Sequence, residues 1–237
     1  MKTTGVAVIG SGGIGTLRAH SCTQIPQVDY LAVCDTKQEK LGDLAAATNA
    51  DMRTSDYEEA IRDDRVGAVF VSTDEENHHG PAALAAELGK PVLIEKPFVL
   101  DLDEADDILA KAKASGSEVF VGYTQRFRRR YLLAKQAVQQ GQLGEIVMAM
   151  GKIYVTRAVG EAVASRSPNT TPSINTLTYL VDLILWYMEG KKPVEVYARA
   201  ASVVFKKYNR DDFQWMMVTF DDGSVATLGT SWLPPHH

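Results

Sequence analysis

The sequence predicts an α/β protein: a doubly wound parallel sheet, then an α+β domain whose open sheet is mostly antiparallel. Three observations carry this. A glycine-rich turn joins a short apolar strand to a helix at the amino terminus. Strand-like and helix-like segments then alternate as far as Tyr123, which implies βαβ units with right-handed crossovers. Beyond Tyr123, long strand-like segments follow one another with turns between them, the pattern of an antiparallel sheet. One domain is therefore expected over 1–123 and a second over 124–237.

The opening stretch, Lys2 to Asp35, organises the first domain. Gly5-Val6-Ala7-Val8-Ile9 is short, apolar and β-branched, as befits a strand buried on both faces. Gly10-Ser11-Gly12-Gly13-Ile14-Gly15 satisfies G-x-G-x-x-G. In that pattern the first glycine permits the tight turn, the second admits a pyrophosphate against the backbone, and the third lets helix and strand pack closely. The following helix points its unpaired N–H groups and positive dipole end at the phosphates. Gly10, Ser11, Gly12, Gly13 and Ile14 are thus cofactor-binding candidates. Tyr30 to Cys34 is the next strand, and Asp35 ends it about 20 residues past the glycines, where an acid can hold the adenosine ribose hydroxyls. A glycine turn alone is a weak signal; strand, helix and acid at the right distances make it a dinucleotide site.

The remaining elements follow in turn. Lys37 to Asn49 reads as a helix, and Ser55 to Ala60 as a helix start with Ser55 as cap and acids in the first turn. Ala68 to Ser72 is a buried strand, Pro81 to Gly89 a helix with proline in its first turn and glycine at its exit. Pro91 to Ile94 is a strand running into Glu95-Lys96-Pro97; Asp101 to Ala114 is a helix and Glu118 to Tyr123 a strand. Ligands of such sheets lie beyond the carboxyl ends of the strands, which gathers Gly10–Gly15, Asp35, Ser72, Thr73, Glu95 and Lys96 around one crevice. Phe127 to Gln140 reads as a bridging helix closed by Gly141. Strand segments follow at Glu145–Thr156, Val194–Phe205, Asp212–Phe220 and Ser224–Ser231, with a hairpin signal at Asp221-Asp222-Gly223. Gly160 to Ile174, rich in Ser, Thr, Pro and Ala, reads as a loop over the site.

Composition narrows the class. A chain of 237 residues, 45% hydrophobic and 23% charged with net charge −5, is ordinary for a globular protein and gives no reason to expect nucleic-acid binding. Arg126 to Arg130 is the one basic run, and Arg126 is either a cofactor or substrate contact or a solvated surface charge. Two cysteines are too few for a disulfide scaffold and fit reduced thiols in a cytoplasm. No signal peptide is read at the start, and the most apolar segment, Leu177 to Met188, is too short for a bilayer and carries Asp182. No metal-ligand set is expected.

Two places could carry proton chemistry. Lys96 ends a buried strand at the cofactor crevice, where burial and a cationic nicotinamide would both lower its pKa and let it relay a hydroxyl proton. Asn175, Tyr179, Asp182 and Trp186 fall at i, i+4, i+7 and i+11, one face of a helix. Buried polar groups need partners; Asp182 reads as part of an internally satisfied network, whereas Asn175 and Tyr179, nearer the loop, read either as members of that network or as site residues.

These residues resemble the glucose–fructose oxidoreductase/inositol dehydrogenase (Gfo/Idh/MocA) family. The match lies in Gly10–Gly15 after a first strand, Asn77-His78 before a helix ending Gly89-Lys90, Glu95-Lys96-Pro97, and Tyr123 to Phe127. Its most specific part is Gly89 to Pro97, which looks like the family's G-K-x-V-x-x-E-K-P. The resemblance implies a Rossmann domain, a second domain whose open sheet serves oligomer contacts, and Lys96 as catalytic lysine with a cis Lys96–Pro97 bond. It also puts Asn77 and His78 near the cofactor, with His78 shaping the loop after the Ser72 strand. Typical members carry Asp and His four residues apart where this chain has Asn175 and Tyr179. Asn cannot titrate, so an Asp–His relay is lost, and Tyr179 fits the variant in which tyrosine is the acid/base. Members also continue well past the length of this chain, so an ending at Leu233-Pro234-Pro235-His236-His237 would leave the sheet incomplete, as in a truncated product or a chain whose missing part a partner supplies.

The expected function is NAD(P)-dependent transfer of a hydride between nicotinamide and a carbinol or carbonyl carbon of a sugar, cyclitol or related polyol. Lys96 and Tyr179 handle the proton. Asp35 favours NAD over NADP, although Thr36 and Lys37 beside it leave NADP open. A homo-oligomer through the second sheet is expected. The rival readings are a nucleotide-sensing regulator without chemistry and a redox-neutral NAD-dependent lyase or hydrolase.

Overall fold

The computed structural model describes residues 3–234; Lys2 and the closing Pro235, His236 and His237 lie outside them. The chain divides into two compact units, 1–122 and 123–237.

In the first unit, strands β1 (Thr4–Ile9), β2 (Val28–Cys34), β3 (Met52–Thr54), β4 (Val66–Val71), β5 (Val92–Ile94) and β6 (Val119–Val121) form one parallel sheet in the order β3-β2-β1-β4-β5-β6. Helices α1 (Gly13–Cys22), α2 (Gln38–Thr48), α3 (Tyr57–Arg62), α4 (His79–Glu87) and α5 (Leu102–Ser115) alternate with the strands. Strand side chains alternate between faces. Val6, Val8, Leu31 and Val33 accordingly pack with Ala19, Leu41 and Leu44 of α1 and α2. Ala7, Ile9, Ala32 and Cys34 pack with Ile61, residues 82–86 of α4 (four alanines and Leu84) and Ile108 of α5. The strand order reverses between β1 and β4, so the switch point, where such sheets take ligands, lies between the ends of those two strands.

Three local readings are corrected here. β3 was not foreseen: it is an edge strand of sequence Met-Arg-Thr with its arginine exposed, and it lacks the apolar run that reveals the equally short β5 and β6. The cap of α3 is Asp56 rather than Ser55; its carboxylate accepts the Glu58 N–H at 2.8 Å, and a charged cap gains more from the helix dipole than a hydroxyl. In the second unit the segment read as a loop from Gly160 is largely helical.

That unit holds α6 (Arg129–Gln139), β7 (Met148–Tyr154), α7 (Arg157–Arg166), α8 (Thr178–Tyr187), β8 (Pro193–Ala201), β9 (Phe213–Phe220) and β10 (Val225–Ser231). Ala158, Ala162 and Ala164 supply helix propensity to α7, which outweighs Gly160. The sheet order is β7-β10-β9-β8, with β9 antiparallel to both neighbours and β7 parallel to β10. One face packs Val218, Phe220, Ala226 and Leu228 against Leu177, Ile184 and Met188. On the other face the register aligns Tyr197, Met217, Thr227 and Met150 in one row across all four strands. Met150, Met217 and Tyr197 are 73, 45 and 55% exposed, so this row presents large apolar side chains at the surface of the sheet. The neighbouring row lays the Trp215 ring flat on Gly229.

Both cysteines are buried in the first unit. Burial, helped by the carboxylates of Asp35, Asp56 and Glu59, pushes the Cys34 thiol up to about 12. Among the described residues no helix is long and apolar enough to cross a membrane.

Candidate functional site

The glycine turn is built by close approach. Gly10 has φ +103°, and a Cβ there would stand 2.5 Å from the Ser72 carbonyl oxygen. A Cβ on Gly15 would stand 1.8 Å from the Gly10 carbonyl oxygen, so the first turn of α1 is locked onto the loop. Gly12 and Gly13 have nothing within 4 Å on that side, and no side chain caps α1 at Gly12. The amino end of the helix is thus open to an anion. Ser72 Oγ and Thr73 Oγ1, at the end of β4 facing this loop, are buried without a hydrogen-bond partner. An open helix end beside two unsatisfied hydroxyls fits a diphosphate.

Asp35 is fixed beside it. Its Oδ2 accepts from Ser11 N–H at 2.7 Å and Ser11 Oγ–H at 2.6 Å, and Oδ1 accepts from Lys37 N–H at 2.8 Å. Burial pushes this carboxyl up, but the hydrogen bonds from Ser11 and Lys37 and the Lys37 charge outweigh it, and the net shift is downward. Asp35 is therefore an anion at neutral pH. Three accepted bonds on two oxygens leave acceptor capacity for a ribose hydroxyl. A cavity of about 440 Å³ opens from Gly10 and Asp35 to Tyr57, Thr73, Asn77 and Pro81.

The expected cis bond between Lys96 and Pro97 is present. His78, 1% exposed, braces this corner: Nδ1 lies 2.9 Å from the Pro97 carbonyl oxygen and 3.2 Å from that of Phe98, and Nε2 lies 3.2 Å from that of Thr73. It links the loop after β4 to the Lys96 corner and does not line the cavity. Glu95 is engaged elsewhere too. Its Oε1 accepts from Arg18 of α1, at 3.0 Å from Nε and 2.5 Å from Nη2. Arg18 was not foreseen, because nothing in sequence pairs residues 77 positions apart.

In the second unit the stripe read as one helix begins with a wider turn, a π-helical segment Ser173–Leu177 that continues into α8. Such segments add a residue to the turn and recur at functional sites. Asn175 is buried within it, and Trp232 donates its indole N–H to the neighbouring Thr176 Oγ1 at 3.0 Å. Tyr179 meets Tyr123 edge-on at 6.5 Å between ring centroids, and the Tyr123 hydroxyl pairs with Thr178 Oγ1 at 2.8 Å. Asp182 is satisfied internally: Arg126 binds it through Nε at 2.9 Å and Nη2 at 2.5 Å. Arg126, named above as a cofactor candidate, is thus committed to a buried carboxylate and stands 5.5 Å from the Trp186 ring.

Comparison with known proteins agrees with the fold. Residues 4–123 match the model of the GFO_IDH_MocA oxidoreductase family, NAD-binding Rossmann fold, and residues 131–237 match a GFO/IDH/MocA C-terminal domain. Myo-inositol 2-dehydrogenase of Thermotoga maritima is 25% identical over 242 residues, covering 95% of this chain and 68% of that protein. Inositol 2-dehydrogenase of Rubrobacter xylanophilus is 27% identical over 232 residues, with 95 and 64% covered. The chain thus spans about two thirds of the length of these relatives, 68 and 64%. The crystal structure of scyllo-inositol dehydrogenase from Lactobacillus casei with NAD(H) and scyllo-inositol superposes with a TM-score of 0.90 at 21% identity, covering 99% of this chain and 71% of that one.

Proposed function

From the premise that the chain belongs to the Gfo/Idh/MocA oxidoreductase family, we propose that it is an NAD-dependent dehydrogenase acting on a CH–OH group of a cyclitol or related polyol. The observation that carries this reading is the clasp of Asp35 on Ser11 beside the open amino end of α1. An anion fixed at the end of β2 suits the ribose hydroxyls of NAD and repels the 2′-phosphate of NADP. The polyol class rests on the inositol dehydrogenases among the relatives.

Bound NAD would accept the hydride from the carbinol carbon at its nicotinamide C4. Gly10–Gly15 hold the diphosphate on backbone N–H groups, and Asp35 orients the adenosine ribose. Lys96 takes or relays the proton of the reacting hydroxyl, and Tyr179 serves as the acid/base on the second unit, with Asn175 hydrogen-bonding the substrate. In the reverse direction Tyr179 donates its hydroxyl proton. Self-association through the apolar sheet face is part of the same proposal; the row Tyr197, Met217 and Met150 is its centre.

The test is incubation with NAD and a panel of polyols while absorbance of the reduced cofactor is followed. Net NADH supports a dehydrogenase; product without NADH would mean a redox-neutral lyase, and neither would leave a nucleotide sensor.

A further inference from the structure

Glu95 and Lys96 are neighbours in sequence, and the Glu95 side chain is committed to a partner within the protein. The Glu95 carboxylate turns back to α1, where the Arg18 guanidinium donates twice to Oε1, at 3.0 and 2.5 Å. Both side chains are largely shielded, at 22 and 12% exposure, so water screens the pair weakly. The carboxylate also rests on Gly122: a Cβ there would stand 2.8 Å from Oε2 and 3.0 Å from Cδ. Position 122 can therefore carry no side chain while Glu95 holds this pose. The Glu95 N–H is bonded to the Val71 carbonyl at 2.9 Å, which fixes the backbone as well as the side chain.

Arg18 lies one turn beyond Gly15, the glycine that locks α1 onto the loop. One end of α1 would receive the diphosphate, and the next turn grips the residue before Lys96. On the far side of Lys96 the His78 ring holds the Pro97 and Phe98 carbonyls. Lys96 is thus strung between two clamps, one of which belongs to the cofactor helix.

We propose that Arg18 is a positioning residue: through Glu95 it ties Lys96 to the helix that receives the dinucleotide, so that cofactor docking and lysine placement are one mechanical event. This deepens the reading of Lys96 as the catalytic lysine and rests on it. Arg18 touches neither substrate nor cofactor in this role. A planar fork that reaches one carboxylate oxygen through two N–H groups fixes direction as well as charge.

The experiment uses the full chain and the variants Arg18→Gln, Arg18→Lys and Glu95→Gln. Lysines are reductively methylated with ¹³C-formaldehyde, the Lys96 resonance is assigned by its loss in Lys96→Arg, and NADH is titrated in. NADH fluorescence gives the dissociation constant, and NAD-linked oxidation of myo-inositol gives kcat and KM. In the parent the Lys96 resonance moves on NADH binding. In Arg18→Gln and Glu95→Gln that response is expected to vanish, with NADH affinity changed less than about threefold and kcat lowered by about 10- to 100-fold. Arg18→Lys should restore much of both. A Lys96 response in Arg18→Gln equal to the parent's overturns the proposal, whatever happens to turnover. So does loss of NADH affinity and melting temperature with the response intact at saturation, the mark of a merely structural pair. If the parent oxidises no polyol, the reaction assigned above falls, while the resonance still decides the role of Arg18.

Discussion

Ser11 donates twice to one oxygen of Asp35, from its N–H at 2.7 Å and its hydroxyl at 2.6 Å. The folded carboxyl titrates below its ordinary value. A depressed carboxylate pKa contributes stability that is present above the unfolded value, about 3.9, and is lost as pH falls through the lower folded value. Thermal melts of the parent and Asp35→Asn should therefore differ at pH 6–7 and converge below about pH 4. Ser11→Ala, which keeps the N–H and removes the hydroxyl, should cost about 1–3 kcal/mol in urea denaturation at neutral pH, since the acceptor is charged. A gap between parent and Asp35→Asn that widens on acidification would contradict this sign.

On the proposed reading the same carboxylate sets cofactor choice. NADH should bind more tightly than NADPH by on the order of tenfold or more, the size of a Coulomb repulsion of about 1–4 kcal/mol across a few ångströms. Asp35→Asn should narrow the ratio mainly by improving NADPH. Fluorescence titration with both reduced cofactors measures it, and tighter NADPH binding to the parent would reverse the assignment.

Proton handling separates two residues by kinetics. Lys96→Met should abolish turnover while NADH still binds. Tyr179→Phe should lower kcat by on the order of 10²–10⁴-fold if the phenol is the acid/base. Rates near the parent's for Tyr179→Phe would reduce it to the ring that meets Tyr123 edge-on.

Arg126 predicts a stability effect and no cofactor effect. Removing it strands the Asp182 carboxylate, whose side chain is 6% exposed. Leaving a buried charge unpaired costs about 3–5 kcal/mol. Half-exposure of the arginine side tempers this, so Arg126→Ala should lose about 2–4 kcal/mol in denaturant melts with NADH affinity unchanged. A selective loss of NADH affinity would return Arg126 to the cofactor.

The apolar sheet face can be tested by one charge. Met217→Glu sits in the middle of the row from Tyr197 to Met150. Sedimentation should show self-association of the parent and monomer for the variant, with the melting temperature lowered no further than loss of assembly explains. A parent that is monomeric at all concentrations would remove the oligomer from the proposal.

Much of this was legible because local chemistry and global placement coincide. Gly10 to Gly15 and Asp35 are adjacent to strands whose apolar runs announce themselves, and the strand order brings their ends to one switch point. The pairing of Asp182 within the protein was foreseeable from its place on an apolar helix, but the identity of its partner was not, because Arg126 lies 56 residues earlier. The same holds for Arg18 with Glu95. Elements without an apolar run defeated the pattern: β3 is Met-Arg-Thr at the sheet edge, and α7 hides behind the Ser, Thr and Pro that follow it. The wider turn at Ser173–Leu177 leaves no residue signature, and the Trp232 contact on Thr176 within it joins residues 56 positions apart.

The Cys34 thiol, buried and raised to about 12, has a use outside enzymology. At pH 8 fewer than about one in a thousand such groups is thiolate, so an alkylating reagent passes it by until β2 is pried from its neighbours. Cys22, also buried and raised, lies on the helix packed against the same strands. Mass increments from iodoacetamide would then count excursions in which the nucleotide domain comes apart, one molecule at a time, with no dye or engineered label. Added NADH should slow that clock in proportion to its occupancy.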